Sequence, residues 1–394
     1  MNGAELLRLI LAQVCLHATM AGVRLATPLL ALQQGYSPAA VGVLIALFAL
    51  TQVFLALPAG RFADRHGLKR PMALSVMAAT AGAALLLAFP AFPAMCVAAL
   101  LTGGATGATV IALQRHVGRA AGNPTQLKRV FSWLAIAPAG ANFLGPFVAG
   151  LLIDHGSRLW GGTQADLPSF RICFAVLALL PVACWLLVRG VDEPPRTPPA
   201  VGAAPTRAWD LLREPMFRRL LFVNWLQSSS WDVHAFVLPV LGHERGLSAS
   251  VIGSILGAFA IAAALVRVLL PVLAARASER SVILSSTIVT ALVFSVYPLL
   301  DSPWLMGLCS VVLGFALGAV QPMVMSMLHQ ITPHTRHGEA LGLRLMTINA
   351  SSVAMPMLFG SLGALIGIGA VFWVIGAVVA SGARAVWGLR APPS

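Results

Sequence analysis

Charge is what this sequence has least of. Of its 394 residues only 10% are Asp, Glu, Lys or Arg, while 58% are hydrophobic and the mean hydropathy is +0.85. A soluble domain carries roughly 25% charged residues. The shortage excludes a soluble globular protein, a disordered chain and a nucleic-acid-binding module, and leaves a chain whose solvent is mostly lipid. Acids are scarcer than bases, 13 against 26, for a net charge of +13. In a soluble chain that excess would suggest nucleic acid; here it reads as topology, and no nucleic-acid partner is expected. Only five cysteines occur, Cys15, Cys96, Cys173, Cys184 and Cys309, all within apolar runs. They have neither metal-ligand spacing nor a disulfide-scaffold pattern, so they read as packing residues, with no metal and no cofactor expected. No Gly-x-Ser-x-Gly turn, His-Glu-x-x-His pair or phosphate loop is present, which argues against an enzyme. The apolar runs do not alternate, which argues against a membrane β-barrel. A cleavable signal is not expected either, because the run behind Glu5 and Arg8 is too long.

What the sequence does have is apolar stretches of spanning length. They predict twelve helices, over 9–31, 39–59, 71–90, 92–114, 130–153, 170–189, 219–241, 249–271, 282–300, 303–328, 340–363 and 366–388. The expected fold is an all-α membrane protein of twelve transmembrane helices in two pseudo-symmetric six-helix bundles. Residues 1–189 and 218–394 form the bundles, and 190–217 is a cytoplasmic linker. That linker carries Asp192-Glu193-Pro194-Pro195, Pro198-Pro199 and Pro205, which cannot continue a helix.

With both termini in the cytoplasm, the inner loops collect Arg61, Arg65, Lys69, Arg70, Arg115, Arg119, Lys128, Arg129, Arg189, Arg196, Arg207, Arg213, Arg218 and Arg219. Arg276, Arg280, Arg336, Arg384 and Arg390 follow, and only Arg158, Arg171 and Arg245 fall outside, as the positive-inside rule demands. The halves repeat at an offset of about 210 residues. Gly35-Tyr36-Ser37 with Gly42 matches Gly246-Leu247-Ser248 with Gly253. Arg70 and Pro93 match Arg280 and Pro303, and Pro146 and Gly150 match Pro356 and Gly360.

The loop after the second helix reads Gly60-Arg61-Phe62-Ala63-Asp64-Arg65-His66-Gly67-Leu68-Lys69-Arg70. It resembles the signature loop of the major facilitator superfamily, a Gly-x-x-x-Asp-Arg-x-Gly-Arg-Lys pattern. Gly60, Asp64, Arg65, Gly67 and Lys69 match, and Leu68 departs from it. The resemblance covers essentially the whole chain. It implies that Asp64 closes a cytoplasmic gate in the outward-open state, paired with Arg115 and with the start of helix 11 near Gly338–Leu341. It also implies a monomer with a small-molecule site between helices 1, 4, 7 and 10. Helix 5 carries Gly145, Pro146 and Gly150, a partial match to the superfamily's antiporter motif in which Ala141 and Ala149 replace glycines. Close packing and a kink are its physical role. The superfamily's helix-4 arginine motif has no counterpart, its place falling near Gly103.

Polar groups inside lipid are costly and default to function. Helix 1 sets Gln13, His17, Met20 and Arg24 on one stripe. Helix 7 sets Asn224, Gln227, Ser228, Trp231, Asp232 and His234 on one arc, with Trp231 as an aromatic platform and Asp232 as the acid well inside the membrane. Such a carboxyl can bind and release a proton. It can equally form a structural pair with Arg24, and Arg24 can instead snorkel to the outer interface. His17 and His234 are alternative proton carriers. Helix 10 offers Gly314, Gly318, Gln321, Met325 and His329, read equally as packing or as site lining. Thr102, Thr106 and Thr109 bond their own backbone, Arg267 snorkels at its helix end, and Arg344, Asn349 and Ser352 face the pathway on weaker grounds.

Three functions fit. The first is proton-coupled export of a small organic molecule. The second is import, by symport or uniport, of an organic anion or nutrient. The third is a non-transporting membrane receptor, opposed by the repeated halves and the polar stripes. Short loops point to a multi-pass protein of a bacterial inner membrane.

Overall fold

The computed structural model of the chain describes residues 3–36, 38–156, 167–193, 208–247, 249–273 and 278–389. Ser37, Ser248, Arg158, Arg276, Arg390 and linker residues 194–207, with Arg196 and Arg207, lie outside the described residues. Among the described residues there are thirteen α-helices, short 3-10 turns and no strand. They are α1 (Gly3–Gln33), α2 (Pro38–His66), α3 (Lys69–Ala88), α4 (Phe92–Ala120), α5 (Pro124–Leu134), α6 (Ile136–His155) and α7 (Leu167–Val188). After the linker come α8 (Pro215–Glu244), α9 (Ala249–Leu273), α10 (Glu279–Val296), α11 (Pro303–Ile331), α12 (His337–Ile366) and α13 (Ile368–Trp387). Nine helical segments among the described residues are long and apolar enough to cross a membrane.

Most helices run past the apolar windows that predicted them, because backbone hydrogen bonding continues where charge begins. The largest difference is at helix 5. It starts at Pro124 and not at 130, and it divides at Ala135 into α5 and α6. Asn123 caps α5 by accepting from the Gln126 amide at 2.8 Å, and Pro124 stands at the first helical position. The amphipathic α5 has too little mean hydropathy to register as a span. Pro58, Pro146, Pro181 and Pro322 sit inside α2, α6, α7 and α11 without ending them.

The chain forms two compact units. One holds the described parts of Met1–Ala120, Ile136–Val201 and Thr335–Asn349; the other holds those of Ala121–Ala135, Gly202–His334 and Ala350–Ser394. In the first, α1 packs on α4, α6 and α7, α2 on α4, and α3 on α4 and α7. Val23, Phe48, Leu86, Phe170 and Phe174 fill its core. In the second, α11 packs on α9, α10 and α5, and α13 on α8 and α10, around Val237, Phe259, Phe294, Tyr297 and Phe372.

The repeat is visible within each unit. Gly35 and Gly246 both adopt a left-handed φ, +83° and +71°, past the ends of α1 and α8. The next amide reaches back five residues in each case, Tyr36 to Ala31 at 3.0 Å and Leu247 to Gly242 at 2.9 Å, so both helices end in a Schellman turn. The helix crossings repeat too. A methyl group built on Gly103 of α4 would run into the Phe48 carbonyl of α2, and one on Gly314 of α11 into the Phe259 carbonyl of α9. Both pairs are related by an offset of 211 residues, as are Gly107 facing Gln52 and Gly318 facing Ala263. The small residues let two backbones touch. The helix-10 glycines are therefore packing residues, and Gly103 stands where an arginine has no room.

Candidate functional site

Asp64 lies in the last turn of α2 and is almost wholly buried. Its Oδ1 accepts from Arg115 Nε of α4 at 2.6 Å and from the Gly338 amide at 2.9 Å; its Oδ2 accepts from the Glu339 amide at 3.0 Å. Arg115 Nη2 also donates to the Asp64 carbonyl at 3.2 Å. One carboxylate thus neutralises a buried guanidinium and caps the positive end of α12. Glu339 extends the knot by accepting from Arg61 Nε at 2.9 Å and Arg336 Nε at 2.8 Å. The structure brings together the partners expected for Asp64.

The glycines of this loop have separate reasons. Gly60 and Gly338 touch backbone to backbone, so a methyl on either would meet the other's carbonyl. Gly67 takes a φ of +76° beside the Glu193 carboxylate. Glu193 was read only as linker, yet it accepts from the Lys69 amide at 2.7 Å and caps α3. Leu68 is 1% exposed, so its departure from the superfamily pattern places an apolar plug where a charge would be buried. Arg65 is exposed. Gly60→Ala is expected to loosen the α2–α12 contact at a cost of about 1–3 kcal/mol, measured as a lowered melting temperature in detergent.

A second buried carboxylate, missed in the sequence, sits in the other unit. Glu279 at the start of α10 accepts from Ser326 Oγ at 3.0 Å and Gln330 Nε2 at 2.8 Å of α11, and lies 3.5 Å from Lys128 Nζ of α5. Its signal was available: an acid at the start of a span, with a lysine in the amphipathic prelude to helix 5.

On α8 the polar arc divides. Asp232 is half-buried, and its Oδ2 accepts from Ser352 Oγ of α12 at 3.1 Å. Ser228 accepts from Gln321 Nε2 at 3.3 Å, and Ser229 pairs with Ser351 at 3.1 Å. Trp231 meets Phe259 edge-on at 4.6 Å between centroids, with the Arg267 guanidinium 5.7 Å over its ring. Gln227 and His234 are not brought to Asp232. Gln227 donates to Thr287 of α10 at 2.8 Å. His234 stacks on Phe259 and bonds Ser310 at 2.9 Å, which in turn meets the Tyr297 hydroxyl at 2.8 Å. An arc as wide as this one has edges that fall against neighbouring helices. Arg267 is not a snorkelling residue: Nη1 donates to the Ala135 carbonyl, where α5 gives way to α6, at 3.1 Å. His329 likewise packs, its ring 4.8 Å from that of Phe131.

On α1, Gln13 and Met20 are buried, His17 is half-buried and shares a side-chain hydrogen bond with Asn142 of α6, and Arg24 is exposed. A methyl on Gly145 would strike the Ala18 carbonyl, so this glycine lets α6 touch α1. Gly150 has open space around it, so close packing explains only half of that pair. α6 passes through Pro146 unbroken.

The description "Major Facilitator Superfamily" belongs to the family model that matches residues 9–226 and 220–394, and the chain belongs to that superfamily. It is a multi-pass membrane transporter for a small-molecule substrate and not an enzyme. A curated relative, the tetracycline resistance protein, class D, of Salmonella ordonez, is 27% identical over 354 residues, 86% of this chain and 85% of its own. Among solved structures, a bacterial homologue of the iron transporter ferroportin in an outward-facing state superposes with a TM-score of 0.79 at 15% identity, covering 99% of both chains. The human organic anion transporter TETRAN gives 0.77 at 18%, over 98% of this chain and 100% of its own. The E. coli fucose:proton symporter gives 0.77 at 14%, over 98% and 99%. At such identities these structures speak for the fold.

Proposed function

We propose that the chain exports a small organic molecule in exchange for protons by alternating access, across a bacterial inner membrane. The observation that carries this is Asp232: a carboxylate in mid-helix on α8, held by a hydroxyl, with no ion pair to a basic residue of its own unit among the described residues. A group so placed can take a proton from the outer side as cargo leaves and release it inward as cargo arrives. Trp231 offers the cargo an aromatic face, and Ser228 and Gln321 offer hydrogen bonds. The likeness to a tetracycline resistance protein and the Gly145-Pro146 motif favour efflux. In this reading α5 and α6 make one crossing, giving twelve. Residues 1–189 and 218–394 rock about the 190–217 linker, both termini are cytoplasmic, and the monomer suffices.

The Asp64 knot then serves as the cytoplasmic latch of the outward-open state. Asp64→Asn keeps the size but removes the charge from Arg115 and from the α12 end. Breaking a buried pair costs about 3–5 kcal/mol, so the conformer balance should move by more than about a hundredfold towards inward-open. Accessibility of single cysteines to a membrane-impermeant reagent reads this; an unmoved balance removes the latch.

The exchange itself is tested in energised inside-out vesicles by collapse of the pH gradient on adding organic compounds, tetracycline among them. Collapse that persists in Asp232→Asn refutes Asp232 as carrier, and no response to any compound refutes antiport. The exposed Arg24 favours a second reading, import of an organic anion. Anion uptake lost in Arg24→Ala would support it.

A further inference from the structure

One charged cavity has no part in that cycle. It lies in the second unit, where the N-termini of α8 and α10 come together with the C-terminus of α13. Glu214, Pro215, Met216, Arg219, Arg280, Trp387 and Gly388 line a space of about 670 Å³, within the range of small-ligand sites. The Arg280 guanidinium stands 4.6 Å over the Trp387 ring. Arg219 Nη1 donates to the Gly388 carbonyl at 3.1 Å, which holds its guanidinium at the rim with donors to spare. Trp387 is 66% exposed, and Arg219 and Glu214 are exposed, so the cavity opens on the surface. Arg218 and Arg384 are exposed near the same helix ends, and Arg213 is exposed in the 3-10 turn just before α8. Glu214 is the one acid among the lining residues.

We propose that this cavity binds the phosphate headgroup of an anionic phospholipid of the cytoplasmic leaflet. Two arginines supply planar donors matched to phosphate oxygens. Pro215 and Met216 at the start of α8 are in the lining, so the positive end of that helix dipole adds to the arginines. Trp387, exposed at the last residue of α13, supplies the aromatic ring that a boundary between acyl chains and headgroups favours. Basic pockets between transmembrane helices on the cytoplasmic side are where such headgroups bind. The apolar flank that acyl chains need is present, since Ile288 of α10 and Val378 of α13, about two to three turns from the cavity, are exposed. Glu214 on the rim disfavours a free dianion more than a headgroup carrying one charge.

The test uses the full-length protein in neutral detergent, with phosphatidylglycerol, phosphatidylcholine or inorganic phosphate added, and counts retained lipid adducts by native mass spectrometry. Wild type should retain phosphatidylglycerol about twenty-five-fold over phosphatidylcholine, since each of the two lining arginines contributes a factor of about five at an anionic leaflet. Arg219→Gln with Arg280→Gln should bring that ratio to near one. Arg219→Lys with Arg280→Lys should keep part of it. Arg213→Gln with Arg218→Gln, outside the lining, should keep most of it. Melting in phosphatidylcholine alone shows whether each variant is folded. Three results would overturn the proposal: an unchanged preference in the glutamine pair, an equal loss in the outer pair, or full displacement of the lipid by millimolar inorganic phosphate.

Discussion

Asp232→Asn is expected to abolish substrate-driven proton movement while leaving the protein folded and able to bind its cargo. The amide keeps the size of the carboxyl and can still accept from Ser352, so the packing of α8 against α12 should survive. What disappears in the proposed cycle is the step that ties cargo to protons, the gain and loss of one proton at this carboxylate. Gradient-driven transport should therefore fall to the background leak, because a cycle with no titrating group has nothing for the proton gradient to act on. Counterflow, which exchanges cargo for cargo without net proton movement, should continue. That split separates a coupling residue from a structural one. Ser352→Ala supplies the milder companion: it removes the hydrogen bond that Ser352 donates to Asp232 and should shift the pH dependence of transport without ending it. If counterflow and gradient-driven transport fell together in Asp232→Asn, the residue would be part of the scaffold.

Gly103→Leu and Gly314→Leu should each prevent stable folding, and to a similar extent. Both glycines stand where one helix backbone meets another, so a side chain has nowhere to go but into a carbonyl. Overpacking costs about 1–3 kcal/mol when neighbours can shift, and more when the neighbour is backbone. The destabilisation should exceed about 3 kcal/mol, a large part of the roughly 5–15 kcal/mol margin of folded proteins. Yield after solubilisation and melting temperature would read it. Gly150→Ala is the control: with open space at its Cβ, it should melt no lower than wild type, since alanine favours a helix by about 0.5–1 kcal/mol. If Gly103→Leu folded normally while Gly314→Leu did not, the two crossings would not be equivalent.

How much of this was legible beforehand follows from which signals are local. Gly35 and Gly246 were visible as a matched pair of the repeat, because an offset needs only the sequence; their role as left-handed helix ends came from the structure. The Asp64 knot was visible through a resemblance that covers the loop. By contrast, α5 was hidden because hydropathy windows detect burial in lipid, and this segment is amphipathic. Glu193 was hidden because capping α3 from the end of α7 is a contact over more than a hundred residues of chain. The division of the α8 arc was hidden for a related reason. Periodicity states which residues share a face but not where that face ends against a neighbour, so Gln227 and His234 were grouped with Asp232 although they bond Thr287 and Ser310. Arg267 shows the limit of reading a charge near a helix end as lipid-facing: carbonyls at Gly318 and Ala135 gave it an inward home.

The twin glycine crossings have a mechanical consequence. A transporter must deform, and deformation goes wherever the material is softest. At backbone contact, a slide of a fraction of an ångström brings a Cα into a carbonyl, so α2 with α4, and α9 with α11, behave as stiff beams. Compliance is left to the joints at their ends, where Gly67 carries a φ that few residues tolerate and where the hydrogen bonds accepted by Asp64, Glu193 and Glu279 can be exchanged one at a time. Strain gauges placed at those joints, as paired spin labels, should register nearly all of the motion, while pairs across the crossings should stay at a fixed separation throughout the cycle.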